Sequence, residues 1–339
     1  MNTQMENATY TIHESGIPTY VFFAFGFVGN GLALVVICCN REHHQWRSFY
    51  IFFVGLAMSD FLNQVIVFPF EVLRYGSNFN YTIPPHLCKV ESFIYSFTQI
   101  SSGMIISGIG TDRYIFLSNH GQPHDTMLWN RRKYLVCLLV IWIFSALVSS
   151  LHLFVGNSAI FYPGSWCFID VMDKGIGSVF SATVYALTGI VVLVYTVYIY
   201  ICVMCMSCRD PEQRGRLLDA DRVTGFYDVH VNVFLATSVT LYVVCWGPFL
   251  MDIFLRGIKV IPGCPGKLEL WLVRLIDLKS NVNPWLYVLL RKEYIRRIFV
   301  RFQSCHEGNI QTAPPDGESK RLLQESQITF SNPSSQCSN

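Results

Sequence analysis

Long apolar runs alternate with short polar stretches along this chain. Seven stand out, at about 18–40, 48–73, 88–117, 133–155, 176–206, 227–255 and 268–290. Each is at least as long as the roughly 20 residues that a helix needs to cross a bilayer core. Backbone in lipid must satisfy its own hydrogen bonds, so runs of this length are predicted to be helices. Strands of a membrane barrel need only about 10 residues. The expected fold class is an all-α membrane protein, a seven-transmembrane helix bundle. The start before residue 18 is polar and has no basic stretch, so the first run reads as a span and not as a cleaved leader.

Beyond residue 290 the pattern changes twice. Tyr294, Ile295, Ile298, Phe299 and Phe302 recur at helical spacing among arginines, which predicts a short amphipathic helix on the inner membrane surface over 291–305. Cys305, at its end, is a candidate for palmitoylation. Residues 306–339 are rich in Ser, Gln, Asn and Pro with no apolar period, and are expected to form a disordered cytoplasmic tail. The expected organisation is thus an N-terminal segment 1–17, a bundle 18–290, a surface helix 291–305 and a tail 306–339. No internal repeat is visible.

Composition agrees with a membrane protein. The 339 residues are 52% hydrophobic and 14% charged, against about 25% charged in a soluble domain. A net charge of +2 is too small to indicate nucleic acid. No glycine-rich phosphate loop, HExxH or paired CxxC spacing occurs, so neither a cofactor nor a metal is expected. Fourteen basic residues fall on one side of the seven runs and six on the other. The basic side belongs in the cytoplasm, which puts the N-terminus outside and the C-terminus inside. Two glycosylation sequons, at Asn7 and Asn80, fall on the predicted outer side. Of twelve cysteines only Cys88, Cys167 and Cys264 fall there. A bond between Cys88 and Cys167 would tie the loop Tyr162–Asp170, "YPGSWCFID", over the top of the bundle; Cys264 is left without an evident partner.

Ionisable groups inside spans are costly and mark function. Asp60, Glu71, Glu91, Asp112, Arg113, Asp252, Arg274, Asp277 and Lys279 all lie within the runs. Glu91 and Asp252 sit near ends and read as side chains snorkelling to water, whereas Asp60 and Lys279 are deep.

The motifs now carry a resemblance. Gly29-Asn30, Leu56-Ala57-x-x-Asp60, Asp112-Arg113-Tyr114, Trp142, Cys245-Trp246-Gly247-Pro248 and Asn283-Pro284-x-x-Tyr287 occur in order on the seven runs, with Cys88 twenty-five residues before Arg113. Over about 18–305 the chain resembles class A G-protein-coupled receptors. The resemblance implies a two-state bundle that couples an outside ligand to a heterotrimeric G protein, with Asp112, Arg113, Tyr114, Trp246, Pro248, Asn283, Pro284 and Tyr287 in the switch. Prolines inside helices permit the kinks such a switch needs. It further implies a multi-pass plasma-membrane location, contact with membrane lipid, and arrestin as a further partner.

Within that class, Pro163-Gly164-Ser165-Trp166-Cys167-Phe168 is similar to the second outer loop of prostanoid receptors. Arg274, nine residues before Asn283, and the run Pro284-Trp285 to Leu290-Arg291-Lys292 fit the same family. The resemblance implies that Arg274, Tyr75 and Ser165 hold the carboxylate of a twenty-carbon lipid acid, with Trp166 in an aromatic lid above it. A guanidinium matches a carboxylate in geometry and charge. "WCFID" and "VLLRK" lean toward the prostaglandin E branch. A competing arrangement is an intrahelical pair between Arg274 and Asp277.

Departures from the family pattern are Asp277 and Glu71, two anions near the expected carboxylate site, and Asn283 in place of the family's usual aspartate. Class A receptors often hold sodium beside the aspartate of span two. Asp60, Ser102, Ser280 and Asn283 match that pocket, and Lys279 stands where a small polar residue is usual; two arrangements are open, its ammonium reaching Asp60 and replacing the ion, or turned elsewhere to Glu91 or water. Alternatives are a class A receptor for another lipid or a small peptide, and, outside receptors, a transporter, against which stands the lack of an inverted repeat.

Overall fold

The computed structural model describes residues 14–39, 48–118, 131–209, 222–261 and 266–290. Asn7, Cys264, Cys305, the expected surface helix and the expected tail lie outside the described residues.

Among the described residues there are seven helical spans. They are α1 (Ile17–Cys39), α2 (Ser48–Ile66) continued by α3 (Phe68–Gly76), α4 (Pro85–Ser118), α5 (Arg131–Val155), α6 (Ile176–Arg209), α7 (Arg222–Gly257) and α8 (Lys267–Leu290). Between α5 and α6 lies a hairpin of β1 (Ser158–Phe161) and β2 (Trp166–Ile169).

The second span differs from the expected single helix. It breaks at Val67, immediately before Phe68-Pro69, and runs on to Gly76. Pro69 has no N–H to offer the turn before it, and such a residue kinks a helix. The kink matters because Glu71 and Tyr75, both buried, lie on α3 beyond it.

Five of the spans are apolar enough to cross a membrane on composition alone, and α4 and α8 are not among them. The reason is position. α4 touches α2, α5, α6, α7 and both strands, so most of its surface meets protein. Five of its hydroxyls are satisfied within the helix: Ser96, Thr98, Ser101, Ser107 and Thr111 each donate to a carbonyl three or four residues earlier. A Cβ on Gly103 would strike the Tyr242 hydroxyl of α7, so a glycine is required for the helices to approach this closely. In contrast, only 22% of the apolar window of α5 is buried, and Leu135, Val136, Leu139, Val140, Ile143 and Leu147 form an outward apolar face suited to lipid.

The loop expected to act as a lid is a β-hairpin. Its strands are antiparallel, with Phe161 opposite Trp166 and Ile160 opposite Cys167. The turn Tyr162–Ser165 needs Gly164, whose φ of 104° is open to glycine alone without strain. Every residue of β2 is buried. The Cys88–Cys167 disulfide joins β2 to the start of α4, and Ile83, Tyr81 and Leu87 pack around it. A second tie lies beside it: the Cys167 N–H donates to Glu91 Oε1 at 3.0 Å. Glu91 is fully buried, so it does not snorkel; it is a lid anchor. Asp252 is not at the water edge either. Arg256 donates from Nε to both of its oxygens and pairs through Nη2 with Glu269 of α8, an ion cluster that closes the outer ends of α7 and α8.

Candidate functional site

Beneath the hairpin lie buried polar groups that come from separate parts of the chain. Trp166 fills the roof. Its ring packs 4.7 Å from Phe161 and 6.3 Å from Tyr95, and its indole N–H donates to the Tyr162 carbonyl at 3.0 Å. Phe168 meets Tyr95, Tyr185 and Phe249 edge-on, at 5.9, 5.4 and 5.3 Å. These aromatic contacts seat the lid on α4, α6 and α7. Arg74 fixes its turn, donating from Nε to the Gly164 carbonyl at 2.7 Å and from Nη1 to the carbonyls of Phe79 and Tyr81.

Beneath the turn, Arg274 of α8, Tyr75 of α3 and Ser165 are neighbours. The Tyr75 phenol is within electrostatic reach of the Arg274 guanidinium and beside the Ser165 hydroxyl. All three side chains are buried. The Tyr75 hydroxyl, the Ser165 hydroxyl and Arg274 Nε face one another, and no group outside this trio bonds to any of these three atoms among the described residues. Buried donors left unpaired are rare in folded proteins, because each forfeits its hydration. Three in one spot form a cluster suited to an acceptor with several lone pairs, such as a carboxylate. Arg274 Nη2 is occupied: it donates to the Ser15 carbonyl at 2.9 Å. The intrahelical ion pair between Arg274 and Asp277 is not formed among the described residues, and Asp277 Oδ1 is unpartnered.

The segment before α1 forms a second strap across this corner. Glu14 pairs with Lys267 at 3.1 Å and accepts a hydrogen bond from Tyr162 at 3.2 Å. The Lys267 ammonium holds the Glu14 carboxyl below its ordinary value. This strap, with the Glu91 anchor, was not legible in the sequence, since each partner lies far away in the chain.

Deeper in the bundle, Asp60 is fully enclosed. Ser102 donates to Oδ1 at 2.9 Å and Asn283 to Oδ2 at 3.4 Å, with Ser280 adjacent. The four residues matched to an ion pocket are therefore together. Lys279 is also fully buried, and among the described residues its ammonium forms no ion pair with Asp60. It donates to Gln99 Oε1 at 3.3 Å and lies 5.7 Å from the Tyr242 ring centroid. Gln99 and Tyr242 offer it a nearer acceptor and a π-face, while Asp60 acts on it electrostatically from farther off.

At the inner end, Arg113 Nε donates to Asn232 Oδ1 of α7 at 3.0 Å, and its guanidinium lies 4.9 Å from the Phe116 ring. Tyr134 of α5 donates to Asp112 at 2.7 Å. Tyr114 is on the surface. Tyr287 stacks on Phe53 at 4.3 Å, and Phe53 meets Phe234 at 5.4 Å. Trp246 is fully buried against Tyr242 at 4.9 Å. Pro248 and Pro284 sit inside α7 and α8. Asn80 is exposed in the loop after α3. Asn232 carried no motif, and only the folded contact identifies it.

Residues 29–287 match the family described as "7 transmembrane receptor (rhodopsin family)". The chain is 24% identical over 362 residues to the prostaglandin E2 receptor EP4 subtype of Rattus norvegicus, covering 89% of this chain and 74% of that protein. It is 26% identical over 312 residues to the prostacyclin receptor of Homo sapiens, covering 88% and 78%. Squid rhodopsin superposes with a TM-score of 0.70 at 16% identity, over 94% of this chain and 91% of that chain, which is a likeness of fold. With its seven spans, its disulfide-tied hairpin and this match over most of the bundle, the chain belongs to the rhodopsin family of seven-transmembrane receptors.

Proposed function

We propose that this chain is a G-protein-coupled receptor for a prostanoid-like lipid carboxylic acid, with prostaglandin E2 as the first ligand to try. The observation that carries the reading is the trio of buried, unpaired donors on Arg274, Tyr75 and Ser165 under an aromatic lid. A carboxylate accepts from all three, and the buried rings of Trp166 and Phe168 in the lid suit an apolar tail. The printed names of the most similar curated proteins, prostaglandin E2 and prostacyclin receptors, support the same chemistry. Trp166 shapes the roof.

In this reading the receptor lies in the plasma membrane with its N-terminus outside, glycosylated at Asn7 and Asn80. The inner cleft, opened when the Arg113–Asn232 bond breaks, receives a heterotrimeric G protein, and arrestin is the further partner. Asp112, Tyr114, Trp246, Pro248, Asn283, Pro284 and Tyr287 belong to the moving parts. Lys279 supplies a fixed cation near Asp60, Ser102, Ser280 and Asn283. Agonist affinity is then insensitive to sodium; a clear drop when sodium replaces a bulky cation would refute that role. Cys305 takes a lipid chain at the inner surface.

The deciding experiment is a second-messenger screen with a panel of prostaglandins on the parent and on Arg274→Ala. Losing the guanidinium leaves the ligand acid without its charged partner, a loss of roughly 100-fold in potency. Full potency in the variant would end the carboxylate assignment.

A further inference from the structure

The Arg274 guanidinium is already holding something. Its Nη2 donates at 2.9 Å to the backbone carbonyl of Ser15, in the strap ahead of α1. Arg274 is 8% exposed, and an enclosed cation without an acceptor is costly. A carbonyl carried by the chain itself meets that need. The same strap lies on a second member of the trio. Gly16 sits so close to Tyr75 that a Cβ there would come within 2.9 Å of three atoms of the Tyr75 side chain. Two adjacent strap residues therefore rest on two of the groups that a ligand acid has to reach.

An independent observation is how lightly the strap is held. Glu14 ties it to Lys267 of α8 and to Tyr162 of the hairpin. The Lys267 side chain is 73% exposed, and a pair this open to water and salt contributes little. Beyond the strap, α1 has its own start: the Ile17 N–H donates to Ser15 Oγ at 3.2 Å and the Tyr20 N–H to the Gly16 carbonyl at 3.1 Å. The acceptor on Arg274 is also the weaker kind. A backbone carbonyl is neutral, whereas hydrogen bonds from a guanidinium to a carboxylate are about twice as strong as neutral ones. An ionised acid gains by taking Nη2 from Ser15. An ester, whose acceptor is itself a neutral carbonyl, does not.

We infer that segment 14–16 is a built-in competitor for the acid site. In the empty receptor the Ser15 carbonyl stands in for the ligand's carboxylate on Arg274, and the strap lifts when an ionised acid takes its place. This rests on Arg274 as the anion anchor proposed above. The strap thereby sets a threshold: a charged head displaces it, and a neutral derivative of the same lipid leaves it closed.

The test locks the strap down and asks whether the acid still binds. Glu14→Cys and Lys267→Cys are introduced together in a Cys264→Ser background, and the full-length receptor is placed in lipid nanodiscs. A bifunctional methanethiosulfonate bridges the pair, verified by mass spectrometry of the joined peptides; a monofunctional reagent gives the control. Calorimetry measures prostaglandin E2 and its methyl ester. Bridging is expected to weaken the acid about tenfold, as loss of one charge-assisted hydrogen bond requires, and to change the ester by less than about twofold. Equal affinity for the acid in both forms would overturn the inference, as would no binding of the acid to the control. So would tighter binding of the acid in the bridged form, the mark of a strap that positions Arg274, or an equal loss for acid and ester, the mark of a door that blocks by bulk. Arg274→Ala in the control form separates the two readings. If it weakens the acid while bridging does not, the anion anchor stands and the competitor falls. If bridging weakens the acid while Arg274→Ala does not, the anion anchor falls and the competition for it falls too.

Discussion

Two arginines lie near opposite ends of the bundle with almost the same burial, Arg113 at 6% exposed and Arg274 at 8%. Their bonding differs. Arg113 Nε is taken by the side chain of Asn232, on another helix. Arg274 Nε is unpaired, and Nη2 rests on the backbone carbonyl of Ser15, ahead of α1. A buried cation bonded across two helices fixes their spacing, so the inner site works as a latch. A buried cation with a spare donor is set to receive something, so the outer site works as a receptacle. Equal burial of the same side chain therefore says little by itself; the state of each N–H separates the roles.

The largest expected effect attacks the latch. Asn232→Ala removes a hydrogen bond to a charged group, worth about 1.5–3 kcal/mol, and is expected to raise ligand-free nucleotide exchange on a G protein by about tenfold. Unchanged basal exchange would mean that Arg113 holds nothing shut. The next sharpens the receptacle. Tyr75→Phe deletes one unpaired donor and keeps the ring that packs on Phe79, so potency for an acidic agonist is expected to fall about fivefold with no loss of thermal stability. A fall in stability would show that the hydroxyl belongs to the fold.

Smaller effects come from the covering elements. Glu91→Ala removes the acceptor for the Cys167 N–H, and agonist dissociation is expected to quicken about threefold. The smallest concerns the strap. The Glu14 carboxyl is held below its ordinary value, so the Glu14–Lys267 pair is fully formed above that value and is lost only as pH falls through the lowered one. Between pH 6 and pH 8 agonist dissociation should therefore be flat for this group. Glu14→Gln, an exposed pair screened by salt, is expected to change it less than twofold.

The spans were legible because apolar length is a local property. The run at 268–290 is the helix Lys267–Leu290, and that at 88–117 is Pro85–Ser118. Cys88 and Cys167 were legible too, being two of only three cysteines on the outer side. The break at Val67 had a signal in Pro69 that the continuous apolar run obscured. The hairpin had one in Pro163-Gly164 between β-forming residues. The partners were not legible. Arg113 meets Asn232 119 residues away, Cys167 meets Glu91 76 away, and Arg274 meets Ser15 259 away. Such pairings are set by how helices pack, and no local pattern encodes them. Glu91 and Asp252 were misread for the same reason: closeness to a helix end does not imply water when a strand or a neighbouring helix covers that end.

The central helix has a consequence for how the chain is made. α4 is long enough to span a bilayer but too polar to count among the five spans that are apolar enough on their own. Because Ser96, Thr98, Ser101, Ser107 and Thr111 bond to carbonyls of the same helix, less of that polarity has to be hidden by neighbours. Its successor α5 is strongly apolar. A nascent chain halted after Ser118 should therefore integrate α4 poorly, and one extended through Val155 should integrate both, so that this core element enters the bilayer as a passenger of the lipid-facing helix made after it.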